Sequence, residues 1–527
     1  MSWLIGSLSK IGERISYEDR LLDPPVDIYA RGSVWLAGGG PCATFRKGFT
    51  ESHKFYIILG HPTRYMDGHC VHLYHSSHST RLEEDDFYLD LRGRFLIVVT
   101  DGKSVKAYGD LTMQRKLYIM EDEREIFFTS SLDLLKRIRK PEIDFSKFGA
   151  FWHTMYPLSN QRFAPSELSY YQNVLTMGSG GVAKMGDGVQ ISNRIFVPGP
   201  VTDRIISEIG SITLAPIVDP NRVAVSLSGG MDIRALLAIF PYLKMPVKAF
   251  HYGIVDTPDC QVAKQIADSL GFPFYRISHE ETCEEDSWQQ TLNYMQAGQV
   301  FSNPLAAPFV NYCRQVSQEA DIMISGYMGE FYRMRYFADP LKTLFRFKPI
   351  GLSDIFSFLY RKPPPIFVPD VHQLLYQNFM HELQSAFQAL PPQGKMSNPQ
   401  WMNILFARFM LHTKLHGLIN ILDGILLDHM PFTEPEVMNY HWHLGIKAQL
   451  NESIHRKLIK HFCPALQKFP LVMGNTKAPY SHRQYMLKIR EMARLKRAGS
   501  VPNPSDLFLQ KHRQQILDLL LSASVKT

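Results

Sequence analysis

The sequence predicts two domains: a β-rich layered domain over residues 1–197, and a doubly wound α/β domain with a helical C-terminal part over residues 198–527. Three observations lead to this prediction. The chain has 527 residues, more than one hydrophobic core usually covers. Short strand-like runs fill the first part, whereas strands alternate with helices in the second part. The Pro- and Gly-rich stretch 197–200 separates the two patterns and is a plausible linker.

The first part consists of short apolar runs separated by turn residues. The runs are Phe55–Leu59, Phe95–Val99, Lys116–Met120 and Glu125–Phe128. Asp101-Gly102 is typical of the turns between them. This pattern predicts antiparallel strands in a sandwich or layered arrangement.

The second part repeats a strand followed by a helix. The predicted strands are Arg222–Leu227, Val247–Gly253, Phe274–Ile277 and Asp321–Ser325, and the predicted helices are Asp232–Leu243 and Asp259–Leu270. Alternation of this kind favours a parallel sheet covered by helices on both faces. From about residue 375 onward the pattern is mostly helical.

The composition is that of a soluble globular protein, with 45% hydrophobic and 20% charged residues. The net charge of +7 indicates a soluble surface rather than a nucleic-acid-binding protein. No apolar stretch approaches about 18 residues, so we expect no membrane span. The six cysteines form no close pairs, which argues against a disulfide framework or a cysteine zinc site. Without a signal-peptide pattern, we expect a cytoplasmic protein.

A glycine-rich loop follows the first strand of the second part. It contains Ser226, Leu227, Ser228, Gly229 and Gly230, and Asp232 lies two residues further on. Backbone N–H groups at the start of a helix bind phosphate well, and glycines let the backbone approach the anion. The Asp232 carboxylate could hold Mg²⁺ against such phosphates. The alternative is an ordinary strand–turn–helix with a first-turn aspartate.

A second glycine-rich loop follows the strand Asp321–Ser325. It contains Ser325, Gly326, Tyr327, Gly329 and Glu330. In a parallel sheet both loops would face one crevice at the carboxyl edge, where Asp232 and Glu330 could share one or two Mg²⁺ ions.

A third strand end carries Tyr252 and Gly253, whose backbone could contact an adenine. Together the three strand ends predict an ATP site.

These loops resemble the synthetase domain of the asparagine synthetase family, which includes β-lactam synthetases and lasso-peptide cyclases. The first motif is matched at Ser228, Gly229, Gly230 and Asp232, and the second at Ser325, Gly326 and Gly329, with Glu330 in place of aspartate. Ile233 and Met328 depart from the family pattern. The stretch from Asp90 to Phe95 and the segments after it resemble the glutaminase-type (Ntn-type) layered domain of that family. The resemblance implies a PP-loop ATP pyrophosphatase fold that uses ATP and Mg²⁺.

The resemblance implies ATP-dependent amide formation through carboxylate adenylation, with release of AMP and pyrophosphate. The substrate would be a peptide or small metabolite, and the reaction could close a lactam or macrolactam ring. A precursor peptide and a maturation protease would then be partners. Tyr327 occupies the position of a catalytic tyrosine in β-lactam synthetases, and Lys447 is the lysine nearest to a late catalytic lysine of the family. The alternative for Lys447 is an ordinary surface residue.

The departures from the family leave two other functions open. Ser2 replaces the nucleophilic cysteine of asparagine synthetases, so we expect a glutaminase-like domain without glutaminase activity. A glutamine-dependent amidotransferase that uses Ser2 is the enzymatic alternative. A degenerate ATP-binding module with a regulatory or assembly role is the non-enzymatic one, favoured by Ile233 and Met328. His429 replaces an arginine of the family and argues against aspartate as the substrate. His412 and His416 have zinc-compatible spacing but are expected to be packed or solvated histidines.

Overall fold

The fold is that of a computed structural model, and part of the chain is described. The described residues are 3–21, 27–41, 44–66, 69–72, 82, 87–112, 114–155, 169–194, 204–296, 305–333, 349–360, 362, 367–394, 396–411, 413, 416–473, 476–483, 508, 510–515 and 518. The predicted linker at 197–200, Ser2 and His412 lie outside the described residues.

Antiparallel strands make up most of the first part of the chain. They are β1 (Trp3–Ser9), β2 (Asp27–Arg31), β3 (Val34–Gly39), β4 (Phe45–Phe49), β5 (Phe55–Gly60), β6 (Thr63–Met66), β7 (His69–His72), β8 (Leu91–Arg92), β9 (Phe95–Thr100), β10 (Val105–Gly109), β11 (Tyr118–Glu121), β12 (Glu125–Thr129), β13 (Val174–Thr176), β14 (Val182–Met185) and β15 (Val189–Ser192). One six-stranded sheet has the order β13-β11-β12-β1-β3-β2, and the other has the order β15-β14-β10-β9-β5-β4. A short third sheet has the order β7-β6-β8.

The two six-stranded sheets stack through the apolar residues of their facing sides. Leu4 and Leu8 of β1 belong to the same buried cluster as Leu96 and Val98 of β9. Ile5, on the opposite face of β1, packs in the cluster beneath the helices α1 (Leu132–Arg139) and α2 (Phe145–Met155). This alternation is the period of two that a pleated strand imposes. The β-rich layered architecture predicted for this part is confirmed.

A parallel sheet forms the centre of the second part. Its strands are β16 (Val223–Ser226), β17 (Lys248–Gly253), β18 (Phe274–Ser278), β19 (Ile322–Ile324) and β20 (Leu427–His429), in the order β18-β17-β16-β19-β20. All four neighbouring pairs are parallel. The predicted doubly wound sheet is therefore confirmed. The order of the strands reverses at β16, so the loops after β16 and β19 start side by side, which is where such sheets bind ligands.

Helices surround this sheet and continue beyond it. They are α3 (Ile205–Leu214), α4 (Met231–Leu237), α5 (Ile239–Tyr242), α6 (Pro258–Leu270), α7 (His279–Thr282), α8 (Ser287–Gln296), α9 (Ala306–Glu319), α10 (Leu352–Leu359), α11 (Pro369–Gln388), α12 (Asn398–Met410), α13 (His416–Leu422), α14 (Pro435–His443), α15 (Ile446–Leu450) and α16 (Ser453–Phe462). A hairpin of β21 (Leu471–Met473) and β22 (Thr476–Ala478) follows. Among the helices that the structure describes, none is long and apolar enough to cross a membrane.

The helix predicted from Asp232 to Leu243 is divided into α4 and α5. Pro241 has no backbone N–H, so it cannot donate to the carbonyl of Leu237 four residues earlier. Ala238 stands between the two helices and still donates to Arg234. The first of these helices, α4, begins at Met231, directly after the first glycine-rich loop.

A buried ion cluster joins the two parts of the chain. Arg94 donates to one Asp423 carboxylate oxygen at 2.7 Å, and Arg115 donates to the other. The three side chains are at most 3% exposed. Thr44 also donates its hydroxyl to the backbone carbonyl of Asp423 at 2.5 Å. Charges buried this deeply need their partners, so the cluster fixes how the sandwich meets the parallel sheet.

Candidate active site

The first glycine-rich loop leaves the sheet at Ser226 and holds itself in shape by local hydrogen bonds. The Gly230 N–H donates to the Ser228 hydroxyl oxygen at 3.2 Å. The Gly229 N–H donates to a carboxylate oxygen of Asp259 at 2.9 Å. Leu227, between them and the strand, donates its N–H to the carbonyl of Phe250 at 2.7 Å. Any phosphate bound by the Gly229 and Gly230 N–H groups would therefore compete with acceptors within the protein.

Asp259 is a site residue that sequence reasoning missed. It stands in the first turn of α6, directly after Pro258 and the N-cap Thr257. Burial raises the pKa of its carboxyl, although His251, the Gly229 N–H and Arg234 act in the opposite direction. The signal in the sequence was an acidic residue in the first turn of the helix that follows β17, at the carboxyl edge of the sheet. The sequence did not indicate that its carboxylate would reach the loop after β16.

The second glycine-rich loop lies directly on Asp232. A Cβ atom added to Gly329 would lie 2.6 Å from both Cβ and Cγ of Asp232 and 2.7 Å from its Oδ1. A Cβ atom added to Gly326 would lie 2.6 Å from the backbone nitrogen of Ile233. These approaches are closer than side-chain atoms tolerate, so glycine is needed at both positions. The two loops that the sequence singles out thus meet at the start of α4.

Met328 stands where the family pattern has a glycine, and its backbone has a conformation that favours glycine. Its φ of +68° lies in the left-handed region, which glycine adopts freely and other residues rarely do. The Met328 side chain is 2% exposed and packs in the main core of the second part. The apolar burial offsets the backbone strain, so the loop keeps a glycine-like conformation without the glycine.

Asp232 has a buried histidine beside it. The Asp232 Oδ1 lies 2.9 Å from Nε2 of His455, a fully buried residue of α16. The Asp232 side chain itself is 17% exposed, so it keeps some contact with solvent. Glu330, the second predicted Mg²⁺ ligand, is half-buried at the end of the second loop. Carboxylate oxygens are the kind of ligand that suits Mg²⁺. His455 lies far along the chain in no recognisable motif, so it could not be identified from the sequence.

Tyr327 lies in the second loop, where its N–H donates to the Ser325 hydroxyl oxygen at 3.2 Å. Burial raises the pKa of the Tyr327 phenol, and the negative charges of Glu330 and Asp428 add to this effect. The phenol therefore stays protonated at neutral pH and can act as a hydrogen-bond donor.

Tyr252 is the next-to-last residue of β17, and its ring packs against other aromatic rings. The ring stacks on Tyr312 at 4.6 Å between centroids, and its hydroxyl lies 3.3 Å from that of Thr282. Burial raises the pKa of Tyr252 to about 12. The backbone of Tyr252 and Gly253 remains at the carboxyl edge of the sheet, where the sequence predicts an adenine.

Lys447 is exposed on α15, a short helix that packs beside the 3₁₀ turn Gly329–Arg333. The backbone of this helix is therefore close to the second loop. A catalytic role for the Lys447 ammonium group stays a prediction.

Arg234 fastens the first loop to the C-terminal hairpin. Its guanidinium donates to the backbone carbonyls of Gly229 at 2.8 Å, Phe469 at 2.9 Å and Pro470 at 2.7 Å. Burial lowers the pKa of Arg234 to about 10, which still leaves it charged at neutral pH. Pro470 also lines a cleft of about 820 Å³, whose lining includes four cationic side chains: Arg456, Lys468, Lys477 and Arg483. Such a cleft suits an anionic ligand.

Comparisons with curated proteins and with solved structures find little similarity to this chain. No curated protein matches the chain. NMN synthetase from Francisella tularensis is 15% identical, over 41% of this chain and 90% of that chain, with a TM-score of 0.19. The glutamine phosphoribosylpyrophosphate amidotransferase from B. subtilis is 8% identical, over 52% of this chain and 65% of that chain, with a TM-score of 0.22. Similarities at these TM-scores add nothing to the fold described above.

The family comparison agrees with the resemblance of the two loops. Residues 217–343 match the family model described as asparagine synthase. The matched segment begins just before β16 and includes both glycine-rich loops, Asp232, Asp259 and Glu330. Over this segment the chain resembles the asparagine synthetase family.

Proposed function

We propose that this protein forms an amide bond by activating a carboxylate with ATP, on a peptide or small metabolite, without using glutamine. Closure of a lactam or macrolactam ring is the form of the reaction that the family resemblance favours. A precursor peptide and a maturation protease are then the proposed partners.

The observation that carries the proposal is the contact between the two loops. Gly329 approaches the Asp232 carboxylate so closely that a side chain would not fit between them. Two glycine-rich backbones therefore meet at the Asp232 carboxylate, and Glu330 directly follows Gly329 in the second loop. Backbone N–H groups and acidic residues together are what a triphosphate with its cation requires.

In the proposed reaction, an oxygen of the substrate carboxylate attacks the α-phosphorus of ATP, and the bond to the β-phosphate breaks to release pyrophosphate. An amine then attacks the activated carbonyl carbon, the bond to AMP breaks, and the amine loses a proton. Asp232 and Glu330 would hold Mg²⁺, which would neutralise charge on the triphosphate. Tyr327, protonated at neutral pH, would donate a hydrogen bond to a group in the crevice.

The test is Mg²⁺-dependent ATP–pyrophosphate exchange by the purified chain with a library of carboxylic acids and peptides. We expect exchange with at least one acid, and its loss in Asp232→Asn. Asp268→Asn is the matched control, because Asp268 pairs with Lys264 on the exposed face of α6. Exchange that survives equally in both variants would contradict the proposed role of Asp232.

A second candidate function is a degenerate nucleotide-binding module with a regulatory or assembly role. The Gly229 N–H is already bonded to Asp259, and the Asp232 carboxylate already has His455 beside it. The hairpin also lies over the loop, since a Cβ atom on Gly229 would lie 2.8 Å from Val472. ATP binding without exchange for any acid would favour this function.

A further inference from the structure

Three buried side chains converge beside the carboxyl end of β20. His61 directly follows β5 of the sandwich, His429 ends β20, and Glu434 precedes α14. One ligand atom from each of them lies within 4.8 Å of the other two. The three residues are 2%, 2% and 5% exposed. None of them takes part in the proposed ATP chemistry.

The orientation of His429 leaves a lone pair directed into the protein. Its Nε2 lies 3.0 Å from the backbone carbonyl oxygen of Ile212. A carbonyl can only accept, so Nε2 carries the proton and Nδ1 keeps its lone pair. Within the described part of the chain, this Nδ1 atom is buried and has no hydrogen-bond partner. A histidine whose other nitrogen donates to a carbonyl is the usual arrangement of a metal ligand.

The backbone of the sandwich holds His61 in place. The His61 N–H donates to the carbonyl of Arg94 at 2.8 Å. A Cβ atom on Gly60 would lie 2.0 Å from the Arg94 carbonyl oxygen, and one on Gly93 would lie 2.3 Å from that of His61. The two imidazole rings are 5.3 Å apart between centroids and nearly perpendicular, at 85°. His61 therefore reaches His429 from a rigid turn.

Glu434 supplies an acidic group to the same place. One carboxylate oxygen accepts the Gly93 N–H at 2.9 Å. Arg92, whose positive charge acts on Glu434, is paired with Glu436. A carboxylate buried this deeply gains most from a cation nearby.

We propose that His61, His429 and Glu434 bind one divalent transition-metal ion, for which Zn²⁺ is the best match. Two imidazole nitrogens and one carboxylate oxygen are a common zinc-binding set, and they leave one coordination position open. Because His61 belongs to the sandwich and the other two residues to the second part, the ion links the two parts of the chain. The Ser325 N–H donates to the His429 carbonyl at 2.9 Å, so the ion also lies next to the second glycine-rich loop.

The test uses the full chain, stripped with a chelator and then titrated with Zn²⁺ or Co²⁺. We expect one equivalent of Zn²⁺ by elemental analysis and a visible absorption spectrum of nitrogen- and oxygen-bound Co²⁺. His61→Ala and Glu434→Gln should each weaken Zn²⁺ affinity by at least the roughly 10- to 100-fold that loss of an outer-shell partner costs. His381→Ala is the matched control, because His381 is 77% exposed on α11 and outside the cluster. Its affinity should equal that of the unaltered chain.

Glutamine at position 434 can still accept the Gly93 N–H, so we expect Glu434→Gln to fold, as its circular dichroism spectrum would reveal. Two results overturn the proposal. One is an unaltered chain that binds neither Zn²⁺ nor Co²⁺ stoichiometrically. The other is a folded Glu434→Gln or His61→Ala variant that binds Zn²⁺ as tightly as the His381→Ala control. If a variant fails to fold, the stoichiometry and Co²⁺ spectrum of the unaltered chain still decide.

Discussion

Replacing Gly329 with alanine should weaken ATP binding, because the new methyl group would overlap the Asp232 carboxylate. The added Cβ would meet three Asp232 atoms at 2.6–2.7 Å, well inside normal contact distance. Inserting a methyl group into a packed site of this kind typically costs about 1–3 kcal/mol. We expect the second loop to move away from Asp232 to relieve the overlap. ATP binding would then require the loop to move back, so the affinity for ATP should fall by about 5- to 150-fold.

The assay is isothermal titration calorimetry with Mg²⁺ and ATP, which does not depend on knowing the carboxylate substrate. Gly186→Ala is the control, because a Cβ atom there would have no neighbour within 4 Å. We expect its affinity to equal that of the unaltered chain. If Gly329→Ala and Gly186→Ala bind ATP equally well, the loop contact plays no part in nucleotide binding, and the central observation behind the proposed function loses its meaning.

Three further changes test other parts of the structure. Asp259→Asn keeps an acceptor for the Gly229 N–H but removes a negative charge beside the proposed phosphate site. ATP affinity should therefore rise about fivefold, corresponding to about 1 kcal/mol, in the same calorimetric titration. An unchanged affinity would mean that phosphate binds elsewhere. Asp423→Asn removes the buried carboxylate that Arg94 and Arg115 share. It should lower the free energy of unfolding by about 3–5 kcal/mol in urea denaturation, against less than about 1 kcal/mol for the exposed pair disrupted by Asp268→Asn. His441→Gln should make the protein less sensitive to acid. Burial lowers the pKa of His441 to about 3, so between pH 6.5 and 3 the unfolded chain binds a proton at this residue that the folded chain does not. The free energy of unfolding therefore falls as the pH falls through that range, and glutamine removes this effect. Urea midpoints at pH 7 and pH 4.5 would measure this effect, and an equal drop in both proteins would contradict it.

The local pattern was enough to predict the strands. β5, β9, β12 and β17 each begin or end within a residue of the predicted bounds, because their apolar runs are flanked by turn residues. The two loops could be found because glycine, serine and acidic residues follow two strands at similar spacing. The left-handed backbone of Met328 could not be predicted from a methionine. Only the glycine that the family has at this position indicates it.

Contacts between distant segments could not be predicted in this way. Asp259 reaches Gly229, and His455 reaches Asp232, only because helices from different parts of the chain pack at one edge of the sheet. His61, His429 and Glu434 likewise come together from two parts of the chain and form no motif. His429 was noticed as a departure from the family, but its partners depend on how the sandwich meets the sheet.

The three backbone carbonyls that Arg234 binds have a practical consequence for fragment design. Two of them belong to Phe469 and Pro470, well beyond residue 343, where the family match ends. A fragment cut at that residue would keep a buried guanidinium while losing two of its acceptors. The shortest piece able to fold around the first glycine-rich loop must therefore extend at least through Pro470.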